Sequence, residues 1–286
     1  MSTGRAGHVA RSTTRPHGET PRRSPLRTFL RTVDGVSINS VYEPGEVVYD
    51  ARRTPSVGLV FVIAHGFTGA VDRPHVRRVA RAFARHGAVV TFSFRGHGAS
   101  GGHSTVGDRE VYDLAAAVRW ARELGHTRVV TVGFSMGGSV VLRHAALNGG
   151  DKHDDPARTD AVVSVSAPAR WYYRGTAPMR RLHWLVTRPE GRLVGRYGFG
   201  TRIHRREWDP VPLSPVEAVP RIAPTPLLIV HGDRDGYFPL DHPRMLAAAA
   251  GDHGELWLEP GMGHAEHAAH DVLLARIADW AAARAG

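Results

Sequence analysis

The chain has 286 residues, of which 42% are hydrophobic and 22% charged, and it contains no cysteine. That length can bury a large core, and the missing thiols exclude disulfides, thiolate metal sites and cysteine nucleophiles. No apolar run reaches the ~18 residues of a membrane-spanning helix. The net charge of +10 is uneven: residues 1–31 hold seven arginines and one acid, residues 169–224 hold eleven arginines and four acids, and the remainder is mildly acidic. The basicity therefore belongs to a tail and one internal segment, and no nucleic-acid partner is expected for the body of the protein.

Residues 1–25 are rich in Ser, Thr, Arg, Pro and Gly and read as a disordered basic arm, because they carry too little apolar surface to offset ordering. Arg22-Arg23 is not followed by the apolar stretch of an export signal, since Arg27 and Arg31 interrupt Leu26, Phe29 and Leu30; a cytoplasmic location is expected. Thr28 to Val33 and Val36 to Tyr42 predict an antiparallel pair turning at Asp34-Gly35. Strands are then expected at Val57–His65 and Ala88–Phe94, with a helix at Arg73–His86 between them. A helix at Asp108–Leu124, a strand at Arg128–Phe134 and a helix at Met136–Leu147 follow. Ala161–Ala167, Pro226–Val230 and Glu255–Leu258 are further strands, and Ala268–Ala285 is a closing helix. Continuous β-branched strands alternating with helices imply a mostly parallel sheet covered on both faces. Residues 169–224 interrupt the alternation with Trp171, Tyr172, Tyr173, Trp184, Tyr197 and Trp208 among the arginines, and read as a small lid insertion.

The chemistry concentrates at strand ends. Gly133-Phe134-Ser135-Met136-Gly137 follows one expected strand and opens a helix, the setting of a nucleophile elbow. The turn lifts the serine into the open, and small residues two positions either side let the backbones pass. Met136 opens the helix, where unpaired N–H groups and the dipole favour an anion. A serine hydroxyl is a weak nucleophile and needs a base. Downstream, His231-Gly232-Asp233-Arg234-Asp235 and Gly261-Met262-Gly263-His264 each follow a strand, at the edge where open α/β sheets place their sites. His264 suits the base; Asp233 and Asp235 both suit the carboxylate that orients it.

These pieces, with His65-Gly66-Phe67, Arg95-Gly96-His97-Gly98-Ala99-Ser100 and the segment Asp235 to Pro239, resemble the α/β-hydrolase-fold serine hydrolases of the monoacylglycerol-lipase, esterase and serine-aminopeptidase kind. The resemblance runs from about residue 28 to the C-terminus. It implies an α/β-hydrolase domain over 26–286, with 169–224 as its lid. It favours Asp235 over Asp233, because the family acid stands four residues before a proline, here Pro239. It implies an oxyanion hole from the Phe67 and Met136 amides. Ser93 stands where the family often has an acid, a departure confined to a structural loop.

The activity implied is cleavage of a carboxylic ester, thioester or amide through an acyl-enzyme on Ser135, Asp235 and His264. Acyl transfer, C–C bond hydrolysis or perhydrolysis on the same triad, or a binding protein of the same fold, are the rival readings. The expected substrate is a small acyl compound, lipid-like or anionic, with Trp171, Tyr172 or Trp184 lining its pocket; contact with a membrane surface is compatible with the basic lid. No nucleotide-binding motif is present, so no cofactor is expected. His264, His267 and His270 recur every third residue, a spacing that rotates around a helix, so no metal is expected. His65 is expected to brace the oxyanion loop, and His97 and Arg95 a turn.

Overall fold

Val, Ile and Phe dominate the inner strands, which are buried on both faces, and with the more polar edge strands they pair into one eight-stranded sheet. A computed structural model describes residues 24–45, 58–149 and 155–286; residues 1–23 of the expected arm lie outside the described residues. The strands are β1 (Leu26–Arg31), β2 (Ser37–Glu43), β3 (Leu59–Ala64), β4 (Ala88–Phe92), β5 (Arg128–Phe134), β6 (Ala161–Val165), β7 (Leu227–Gly232) and β8 (Gly254–Glu259). Their order across the sheet is β1-β2-β4-β3-β5-β6-β7-β8. β1 pairs antiparallel with β2, and β2 with β4; the pairings from β4 through β8 are parallel.

The two faces follow from the period of two. Val60, Val62 and Ala64 of β3 point to one side, under α2 (Glu110–Glu123), α3 (Met136–Asn148) and α7 (Asp241–Ala250). Leu59, Phe61 and Ile63 point to the other, under α1 (Pro74–Ala84) and α9 (Asp271–Arg284). The expected fold class therefore holds: a mostly parallel sheet with helices on both faces.

Two expectations at the element level change. The closing helix begins at Asp271; the residues before it form a separate single turn, α8 (Ala265–Ala268), entered through Ala265 at φ 53°. The helix α7 was not anticipated. Its polar side is confined to Asp241 and Arg244 in the first turn, and the sequence ends in an unbroken run of alanines that carries no period.

Between β6 and β7 the chain leaves the sheet and forms α4 (Ala177–Thr187), α5 (Pro189–Gly198) and a single turn, α6 (Pro215–Ala218). The Trp171 indole N–H donates to the carbonyls of Pro212 and Leu213 at 3.0 and 3.2 Å, joining the outgoing and returning limbs. The returning limb then bridges to the loop after β4: the Ser104 N–H donates to Arg202 O at 2.7 Å, and the Arg202 N–H to Gly96 O at 2.7 Å.

Arg95 ties that same loop to the body. Its guanidinium is buried and donates to Asp113 of α2 at 2.8 Å and to Asp34 of the β1–β2 turn at 2.7 Å. Burial opposes the Arg95 charge, but the two carboxylates more than offset it and hold the group protonated. Removing one partner of a buried ion pair strands the other, at about 3–5 kcal/mol. Arg95→Met should therefore lower the unfolding free energy by about that amount, read from urea denaturation; a loss under about 1 kcal/mol would refute the assignment.

Candidate active site

The strand β5 runs into α3 through Ser135, which adopts φ 52° and ψ −113°. A side chain at that φ is strained by about 1–3 kcal/mol, and the surroundings enforce it. A Cβ at Gly133 would stand 2.2 Å from Gly137 O, and one at Gly137 would stand 2.1 Å from Ala64 O. Only glycine passes at these two points, which is the steric requirement read from the motif. The Ser135 N–H donates to Val165 O at 2.9 Å, so β6 also holds the turn.

His264 reaches Ser135 from the loop after β8. Its Nε2 lies 2.9 Å from Ser135 Oγ, and its Nδ1 lies 2.8 Å from Asp235 Oδ2. The Asp235 side chain is fully buried, and its Oδ1 accepts the N–H groups of Tyr237 and Phe238 at 2.8 and 3.1 Å. Burial pushes its carboxyl up; the hydrogen bond and charge of His264, with the Phe238 amide, outweigh this and hold it below the usual carboxylate range. Tyr237 stacks on the imidazole with ring centroids 4.2 Å apart. Asp233 does something else: its Oδ1 accepts the Gly261 N–H at 2.7 Å and closes the neighbouring loop. Of the two carboxylates, Asp235 is the one hydrogen-bonded to His264.

The loop after β3 faces the elbow. Phe94 donates its N–H to His65 Nε2 at 3.0 Å, so the His65 proton sits on Nδ1, which donates to Gly66 O at 2.7 Å. Burial pushes the His65 imidazole down to about 3, and it stays neutral. In a trans peptide the C=O and N–H point in opposite directions, so gripping Gly66 O fixes the direction of the Phe67 N–H. The other side of Gly66 is held by Glu266, a buried carboxylate whose Oε1 accepts the Gly66 N–H at 3.0 Å. The expectation that His65 braces this loop is thus met by specific bonds. Met136, the first residue of α3, presents an N–H without an intrahelical partner at the positive end of the helix dipole.

A cavity of about 430 Å³ opens onto Ser135, Phe67 and Met136. Its wall is largely apolar, with Trp171, Tyr172, Met179, Leu182, Val186 and Trp208 among the residues that α4 and its flanking limbs contribute. Trp208 packs between Trp171 and Tyr172, at centroid distances of 5.0 and 5.6 Å.

A family profile described as the alpha/beta hydrolase fold matches residues 60–193. Among solved structures, the Pyrococcus furiosus esterase Pf2001 superposes with a TM-score of 0.68 at 20% identity, over 94% of this chain and 98% of its own. The chain is an α/β-hydrolase-fold protein. A monoacylglycerol lipase of Mycolicibacterium smegmatis is 27% identical over 261 residues, covering 76% of this chain and 85% of the lipase. YheT of Escherichia coli (strain K12) is 32% identical over 111 residues, covering 37% of this chain. The chain spans about 31% of the length of that last relative.

Within this α/β-hydrolase fold, Ser135, Asp235 and His264 meet in one hydrogen-bonded line, and Phe67 and Met136 lie beside it. Trp171 and Tyr172 line the cavity. Trp184 does not. The inward positions of α4 are Met179, Leu182, His183 and Val186, spaced by three and four residues, and Trp184 falls on the outer face, 47% exposed. Three contributors were not anticipated. Glu266 holds a partner 200 residues away, so no local spacing announces it. The Ser166 hydroxyl accepts the Ala265 N–H at 3.0 Å, fixing the backbone beside His264. His231 donates through Nε2 to Phe238 O at 2.8 Å, steadying the loop that presents Asp235.

Among the described residues, one group, His75, Glu266 and His267, brings possible metal-ligating atoms within 4.8 Å of one another. Of the three histidines that recur every third residue, His264, His267 and His270, only His267 belongs to this group. Glu266 already serves the Gly66 N–H, and Arg78 sits beside the cluster, donating to the Glu266 and Ala269 carbonyls at 2.7 and 2.8 Å. No described helix is long and apolar enough to cross a membrane.

Proposed function

We propose that the chain is a carboxylic-ester hydrolase of the esterase or lipase type, working through an acyl-enzyme on Ser135. The observation that carries this reading is the line Asp235–His264–Ser135, two bonds of 2.8 and 2.9 Å ending on a strained, accessible serine. Relatives bearing esterase and monoacylglycerol-lipase names support the same class.

In this mechanism His264 Nε2 takes the Ser135 proton as Oγ attacks the ester carbonyl carbon. The oxyanion forms against the N–H groups of Phe67 and Met136. His264 then returns the proton to the leaving alkoxide, and the acyl group remains on Ser135. Water, deprotonated by the same imidazole, attacks the acyl carbon and releases the acid. Asp235 accepts the Nδ1–H, keeps Nε2 facing the serine and stabilises the imidazolium. The apolar cavity receives the acyl chain and excludes water from the reacting centre.

The reading is tested with a fluorophosphonate probe and a panel of esters of increasing chain length. Wild type should label and Ser135→Ala should not; labelling that survives the substitution would remove the nucleophile. His65 is assigned as a positioning residue for the oxyanion donor. Loss of one such donor costs about 10²–10³-fold in kcat. His65→Ala should therefore lower kcat by about 10²-fold with KM changed only about twofold, and His65→Asn, which keeps an N–H for Gly66 O, should recover part of the loss. Equal changes in kcat and KM would contradict the role.

A further inference from the structure

The cavity wall is apolar, yet five arginines border it: Arg170, Arg174, Arg192, Arg205 and Arg206, against one acid, Glu207. Most of this charge is not neutralised. Arg170 pairs with Asp241 at 2.8 Å. Arg174 donates through Nε to His183 Nδ1 at 3.2 Å, and Arg192 donates to the Val186 and Thr187 carbonyls at 3.2 and 3.0 Å. The guanidiniums of Arg205 and Arg206 meet no carboxylate among the described residues. A concave, low-dielectric wall focuses such charge and raises the potential inside. His183, in the cavity wall, is pushed down by burial and then by Arg174. Because His183 Nδ1 accepts from Arg174, that ring is itself uncharged.

Arg174, Arg205 and Arg206 are exposed at the border of the apolar cavity, and none of them forms an ion pair with a carboxylate among the described residues. We propose that Arg174, Arg205 and Arg206 form an anion subsite in the cavity, and that the preferred substrate is an amphiphilic ester whose chain ends in a carboxylate or phosphate. The planar guanidinium suits such a group, since it offers paired N–H donors to paired oxygens. The reaction part of this inference rests on the ester-hydrolase reading; the binding part does not.

The test uses two esters of equal chain length, p-nitrophenyl octanoate and the mono-p-nitrophenyl ester of suberic acid, which differ by a terminal carboxylate. The suberate half-ester should be preferred in kcat/KM by at least about tenfold at low salt. The preference should shrink in about 0.5 M salt, where charges are screened within ~4 Å. Arg205→Ala/Arg206→Ala should reduce the suberate-to-octanoate ratio by about tenfold, and Arg205→Lys/Arg206→Lys should retain part of it. A ratio near one in wild type, or a ratio unmoved by the double alanine variant, overturns the subsite.

Binding is measured separately on Ser135→Ala by titration calorimetry with octanoate and 1-octanol. Tighter binding of octanoate, lost with the two arginines, supports the subsite even if neither ester is cleaved, a result that would instead sink the hydrolase reading. Equal binding of the two rejects the subsite while leaving the hydrolase reading intact. Phosphatidylglycerol vesicles form the last arm. Sedimentation that depends on the two arginines, with no discrimination between the soluble esters, would assign them to a lipid surface and refute the proposal.

Discussion

Ser135→Ala should lower kcat/KM on any cleaved ester by about 10⁵–10⁶-fold, leaving only what the oxyanion donors and the cavity supply. The fold should not notice the change. The Ser135 N–H to Val165 O bond is kept, and alanine inherits the same strained φ of 52°. Ser135→Gly should be equally inactive but more stable than Ser135→Ala by about 1 kcal/mol, because glycine tolerates that backbone conformation. Thermal unfolding of the two variants side by side measures the strain directly. If the glycine variant melts no higher than the alanine one, the elbow stores no strain at this residue. Retained turnover in either variant would remove Ser135 from the reaction.

The second large effect separates two carboxylates that stand two residues apart. Asp235→Asn should cut kcat by about 10³–10⁴-fold, since an amide can present N–H to His264 Nδ1 and favour the wrong tautomer. Asp233→Asn keeps an oxygen acceptor for the Gly261 N–H and should change kcat by less than about threefold. The pH dependence of stability carries a further signature. The folded Asp235 carboxyl is held below its ordinary value, so the unfolded chain binds its proton more readily. Its contribution is therefore fully present above the unfolded pKa of ~3.9 and is lost as pH falls through the lower folded value. The Asp235 carboxylate's own contribution to the stability gap between wild type and Asp235→Asn should shrink as pH falls below about 4. A gap that instead widened toward acid would mean that the carboxylate is strained by burial, not stabilised by His264.

Much of this arrangement was readable along the chain because its signals are local. The elbow is five consecutive residues between a strand and a helix. The hairpin announces itself by Asp34-Gly35, and the sheet by its uninterrupted β-branched runs. Asp235 needed the spacing to Pro239, a family regularity; only the fold supplies the bond to His264. What stayed hidden depends on distance or on helix phase. The grip of Glu266 on Gly66 joins opposite ends of the sequence. The outward turn of Trp184 follows the phase of α4: the exposed Arg180 and Thr187 lie one turn either side of it, and Met179, Leu182 and Val186 lie on the opposite face. Ser93 shows the reverse case. Its departure from the family acid looked harmless, and its hydroxyl in fact accepts the Val71 N–H at 3.0 Å, holding the loop together.

The neck at Trp171 separates two responsibilities within one polypeptide. Ser135 and the loops of Asp235 and His264 follow strands of the sheet, whereas most of the cavity wall comes from the excursion that Trp171 clips to Pro212 and Leu213 and that Arg202 ties to the loop after β4. Because β6 and β7 pair directly with each other, a foreign segment of different length could be transplanted between them without disturbing their register. Selectivity would then be exchanged as a cassette, provided the graft keeps the bond that the Thr176 hydroxyl donates to Tyr237 O, 2.9 Å away in the loop of Asp235.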